Sequence, residues 1–170
     1  MSFYTRLWRR GSGLPSFLAF VCMAAWICTG CGKATTPEQT GTPGKHQHVA
    51  PNGGTPVALG EDDYHLELVL DAAAGTMQAY VLDGEMEGYV RVAAPSFEVV
   101  AKQTNGDVGL VFAAVANRAT GETVGYTSQF AAQADWLKTV KTFDGVLKVL
   151  TVKGKVFKNV AFNFPKGNEK

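Results

Sequence analysis

From Thr55 to Pro165 the chain repeats one pattern: short runs of alternating apolar and polar residues, each stopped by glycine, asparagine or aspartate. In YHLELVL (64–70), Tyr64, Leu66, Leu68 and Leu70 fall on one side and His65, Glu67 and Val69 on the other. A period of two sends successive side chains to opposite faces of a pleated strand, whereas an amphipathic helix needs apolar residues every three to four positions. TMQAYVL (76–82) repeats the alternation and ends at Asp83-Gly84, a tight-turn pair. SFEVVAKQ (96–103) and VGLVFAAVA (108–116) flank Asn105-Gly106, and GVLKVLTV (145–152) and VFKNVAFNF (156–164) flank a turn at Gly154. In the last run Val160, Phe162 and Phe164 make the apolar face. YVRVAA (89–94) and TVGYTSQF (123–130) also read as strands, and Pro95 prevents the former from fusing with its successor. Only AAQADWLKTV (131–140) suits a helical turn or two. Many short strands without an internal repeat predict a single all-β, sandwich-like domain over residues 55–165, with a tail at 166–170.

The amino terminus follows different rules. Arg6, Arg9 and Arg10 precede the apolar run LPSFLAFVCMAAWIC (14–28), and small residues flank Cys31 in TGCG. A charged start, a short apolar stretch and a small-residue cleavage region are the layout of an export signal, here residues 1–30. The run falls short of the ~20 residues that span a bilayer. CTGC (28–31) resembles the lipobox of bacterial lipoproteins, with Cys28 standing where an aliphatic residue is usual. The resemblance implies that Cys31 carries diacylglycerol and palmitate and that the protein is a membrane-anchored lipoprotein of the cell envelope, facing the periplasm.

Cys22, Cys28 and Cys31 are the only cysteines, so a chain cleaved before an acylated Cys31 has no disulfide, thiol nucleophile or cysteine zinc site. Of 16 Lys and Arg, the signal removes three, leaving 13 against 15 Asp and Glu, a balance of −2 with the signs interspersed. No basic stripe exists, which argues against nucleic acid as a partner. Between anchor and domain, residues 31–54 are rich in Gly, Pro, Thr and polar side chains and carry too little apolar surface to order themselves. As flexible coil such a tether reaches roughly 25 Å.

Signs of catalysis are scarce. Ser96 and Ser128 are the only serines after the signal, neither lies in a Gly-x-Ser-x-Gly elbow, and neither has a histidine near it in sequence. GDVGLV (106–111) lacks the glycine spacing of a dinucleotide loop, and Lys153-Gly154-Lys155 lacks the Walker pattern. The acidic pairs Asp62-Asp63 and Glu85/Glu87 fall in turns, where carboxylates are usually solvated. The expectation is a protein that is not an enzyme.

KHQHVAPNGG (45–54) offers different chemistry. His-x-His places two imidazoles on one side of an extended segment, and imidazole suits Zn, Cu and Ni. If residues 55–60 pair back on 64–70, the end of the tether approaches His65. His46, His48, His65 and Glu67 then form a candidate ligand set for Cu or Zn, with Asp63 in reach. Met77 and Met86 are soft donors, better read as a core and a loop residue. The competing reading is a structural or protein-interaction domain that docks an envelope protein, with solvated histidines and no metal.

The segment 46–85 is similar to one in small bacterial lipoproteins and to a region near the N-terminus of periplasmic adaptor subunits of heavy-metal efflux pumps. The matching residues are His46, His48, Ala50-Pro51, Gly53-Gly54, Leu59-Gly60, His65, Glu67, Val69, Asp71 and Tyr80-Val81-Leu82-Asp83. The resemblance implies metal handling in the envelope. It departs at Asn52, where a further histidine is frequent, and the long helical hairpin of an adaptor is missing.

Overall fold

The structure is a computed structural model and describes residues 48–169. The expectations for the signal peptide, Cys31, His46 and the tether up to residue 47 concern positions outside the described residues.

Eight strands form the domain: β1 (Thr55–Leu59), β2 (Tyr64–Asp71), β3 (Thr76–Asp83), β4 (Ser96–Gln103), β5 (Gly106–Ala114), β6 (Gln129–Gln133), β7 (Phe143–Val152) and β8 (Lys155–Phe164). They pair antiparallel in one sheet of order β1-β2-β3-β6-β5-β4-β7-β8. The domain is all-β, as the alternation predicts. Its core lies inside one nearly closed sheet instead of between two separate ones.

Leu66, Leu68, Val81, Val99, Leu110 and Leu147 point into that core, and Phe97 stacks on Phe112 with ring centres 4.9 Å apart. Phe162 and Phe164 are buried beside Phe143, on the face that the alternation assigns them. The phase changes once along the last hairpin. Leu147 and Leu150 are both buried, and Asn159 opposite the break takes a left-handed φ of 53°. The resulting kink helps to curve the sheet round its core.

Two expected strands shrink. Residues 89–94 make only single bridges, Leu82 to Tyr89 and Val92 to Thr127, because the run passes from one partner segment to another. Residues 123–126 form a turn closed by Thr123 and Tyr126, and β6 begins only at Gln129. That strand absorbs Ala131–Gln133, which the sequence offered to a helix, since Ala132 sits opposite Met77 in the β3 register. A single 3-10 turn, Asp135–Lys138, remains, pinned by buried Leu137.

The edges β1 and β8 meet at a seam. Thr55 Oγ1 donates to the Pro165 carbonyl, and Tyr64 lies edge-on to Phe157 with ring centres 6.1 Å apart. Beyond β8 the tail crosses to β1. The Ala58 N–H donates to Asn168 Oδ1 at 2.7 Å, and Asn168 Nδ2 donates to the Ala58 carbonyl at 3.1 Å. One side-chain amide thus stands in for a neighbouring strand along the open edge of β1.

Candidate metal centre

The pleat of β2 sends Leu66 and Leu68 into the core and His65 and Glu67 to the opposite face, the face expected to be solvated. Both are nevertheless 0% exposed. Residues 48–54, assigned by composition to the tether, fold across them, and the tail closes from the other side. Hydrogen bonding supplies what apolar burial does not. Glu67 Oε1 accepts from the Asn52 and Gly54 N–H groups and Oε2 from Asn52 Nδ2, all at 2.8 Å. Three donors on an ionised carboxylate are among the stronger hydrogen bonds available, and they compensate its burial. The crossing requires glycine at 54, where a Cβ would sit 2.6 Å from the Leu68 carbonyl oxygen. A turn follows, in which the Gly53 N–H donates to the Ala50 carbonyl, and it leads the chain back to His48.

Three elements converge there. His48 comes from the arm, His65 from β2 and Glu169 from the tail. Glu169 Oε1 lies 3.2 Å from His48 Nδ1 and 3.2 Å from His65 Nε2, and the three ligand atoms lie within 4.8 Å of one another. The imidazole rings are tilted by 57° with centres 4.5 Å apart. Side-chain exposure is 8% for His48, 0% for His65 and 18% for Glu169.

His65 Nδ1 lies 3.4 Å from the Asp83 carbonyl, which can only accept; with the proton on Nδ1, Nε2 presents its lone pair. Nε2 is buried without a hydrogen-bond partner, although Glu169 Oε1 is 3.2 Å away, because that oxygen lies off the ring's bonding direction. The spacing suits two ligands of a shared atom. Tetrahedral zinc with bonds of ~2.0–2.1 Å separates its ligand atoms by about 3.3 Å. Asp62 Oδ1 stands farther out, 3.8 Å from Nε2 and well exposed.

Of the residues singled out from the sequence, the structure unites His48 with His65. It does not bring Glu67 to them, since its oxygens are taken by Asn52 and Gly54. Asp63 is likewise engaged elsewhere, paired with Lys155 across the seam. Met77 is core and Met86 a loop residue, as expected, the latter buried at φ 58°. The third member, Glu169, was read only as part of a polar tail. Nothing in its local sequence marks it, and only the seam between β1 and β8 brings it to His65.

A second polar cluster stands apart from the histidines. A cleft of about 350 Å³ is lined by Tyr80, Tyr89, Arg91, Glu122 and Gln129 among others. Burial alone would push the Glu122 carboxyl up. Hydrogen bonds from the Ser128 and Thr120 hydroxyls and the Ser128 N–H, with the Arg91 charge, outweigh it and hold the group below its ordinary value. Ser128 thereby serves the fold as a donor to Glu122.

No family model, curated protein or solved structure matches this chain, so the reading of the centre rests on its own geometry. Two imidazole nitrogens and one carboxylate oxygen can hold a metal. Zn(II), Cu(II) and Fe(II) all accept sets of this composition.

Proposed function

We propose that this protein binds a divalent transition metal, Zn(II) or Cu(II), through His48, His65 and Glu169, and does so as a lipoprotein anchored in the cell envelope through Cys31. The observation that carries the metal reading is His65 Nε2, a fully buried ring nitrogen with no hydrogen-bond partner, 3.2 Å from a carboxylate oxygen. Leaving such a group unpaired costs about 1–3 kcal/mol. A cation between the two removes that cost and neutralises the carboxylate as well. The Asp83 carbonyl behind the ring completes the support that metal-ligating histidines ordinarily have.

Titration of the purified protein with Zn(II) and Cu(II), followed by calorimetry, tests this. His65→Ala and Glu169→Gln each lower affinity by at least about 100-fold, the upper end of what loss of a mere supporting partner costs. Equal binding by wild type and both variants would overturn the reading. The anchor has its own test. Cys31→Ser, expressed in the host, leaves the membrane fraction; a variant that stays processed and membrane-bound would refute lipidation at that residue.

A further inference from the structure

We infer that the metal acts as a clasp across the seam of the sheet, so that metal occupancy governs whether the chain's entering arm and leaving tail are held or released. The inference rests on the metal reading above and adds a consequence to it. Each of the three ligating groups belongs to a different piece of chain. His65 is fixed on β2 by its ladders to β1 and β3. His48 precedes the turn at Ala50–Gly53, which is held to the domain by the Glu67 carboxylate with its Asn52 and Gly54 donors and by the Asn52–Tyr89 side-chain contact. Glu169 follows Asn168, whose amide bonds the Ala58 backbone, and the reciprocal Asn163–Gly167 backbone pair.

Without an ion, the described residues of arm and tail meet only through His48 Nδ1 and Glu169 Oε1 at 3.2 Å. Each is otherwise secured by a few hydrogen bonds of its own, and segments secured in this way open locally at little cost. A metal bound to all three groups joins both ends to β2 at one point. Release of either end then requires loss of a ligand. Release also uncovers His65 and Glu67, which are 0% exposed when arm and tail are in place. Occupancy of the centre is therefore translated into the accessibility of β2's outer face.

Backbone amide exchange on the full chain, with and without Zn(II), reads this directly. Gly54 N–H reports the arm, because it donates to Glu67, and Gly167 N–H reports the tail, because it donates to the Asn163 carbonyl at 2.7 Å. A ligand that binds only the closed form at about 100 times its Kd slows exchange through opening about 100-fold. Both amides are expected to slow by that order. In Asn168→Ala the Gly167 amide exchanges faster without metal, and Zn(II) restores its protection. If calorimetry shows Zn(II) bound while either amide is unaffected, or while Gly167 is not rescued in Asn168→Ala, the clasp is refuted and metal binding stands. Absence of a binding isotherm removes the metal reading itself.

Discussion

His48 and Glu169 stand 121 residues apart in the chain, yet His48 Nδ1 lies 3.2 Å from Glu169 Oε1. The sheet order explains the meeting. The first and last strands are the two edges of one nearly closed sheet, so the segments flanking them come out side by side. The residue before β1 and the residue after β8 then face the same stretch of β2.

Glu67 separates two roles, ligand and support, by its response to two substitutions. Both backbone donors of the arm bond the same oxygen, Oε1, which a glutamine retains. Glu67→Gln should therefore keep metal affinity within a few-fold of wild type, whereas Glu67→Ala frees the arm and lowers it by about 10–100-fold. Zinc titration of both variants measures this. A comparably large loss in both would make Glu67 a ligand after all.

Gly54→Ala should weaken the metal without touching any ligating group. The added methyl meets the Leu68 carbonyl and the Glu67 side chain, so the arm must shift off β2. A drop in affinity of about 10-fold or more is expected, with fold stability little changed. Thermal melting of the metal-free protein beside the titration distinguishes the two effects.

The strands and two of the centre's three groups were legible for a simple reason. Alternation and turn pairs are local signals, and they place β2, β3, β4, β7 and β8 almost to the residue. His65 was visible as a candidate because a histidine on a strand next to an incoming His-x-His motif suggests a ligand. Its burial was not visible, because composition marks residues 48–54 as unable to order themselves by apolar packing. What orders them is the Glu67 carboxylate, and a hydrogen bond between a side chain and a backbone amide leaves no periodic trace. Glu169 was invisible for a stronger reason. Its role exists only once the two edges of the sheet are brought together, which is a property of the topology and of no single segment.

Phe162 tests the last strand's facing. Its ring lies over Gly145, its partner in the β7–β8 ladder, and beside Phe143, at 5% exposure. Phe162→Ala should cost about 3–5 kcal/mol in denaturant unfolding. Gly145→Ala places a methyl against the same ring and should cost about 1–3 kcal/mol by overpacking. Values near zero for both would mean that the ring is outside the core.

Protons and metal compete for the same three groups. Binding requires neutral imidazoles and an ionised carboxylate, so loading releases protons and affinity falls with acidification. The affinity for Zn(II) should therefore fall steadily as pH is lowered. Calorimetry in buffers of different ionisation enthalpy reports the proton release. A pH-independent affinity would exclude the histidines as ligands.

Glu122 predicts a separate acid response. Its folded-state carboxyl lies below the ordinary value, chiefly because Ser128 and Thr120 donate to it and Arg91 lies 3.6 Å away, against the opposing effect of burial. A depressed value means that the unfolded chain binds the proton more readily. The stabilisation is therefore complete above the unfolded carboxyl range near pH ~4.3 and disappears as pH falls through the lower folded value. Glu122→Ala also strands the buried Ser128 N–H and hydroxyl, so it should destabilise the protein by about 1–3 kcal/mol at neutral pH. The ionic part of that difference should vanish in strong acid. Denaturant unfolding of wild type and variant at pH 7 and pH 3 checks it, and a gap that widens on acidification would reverse the sign assigned to Glu122.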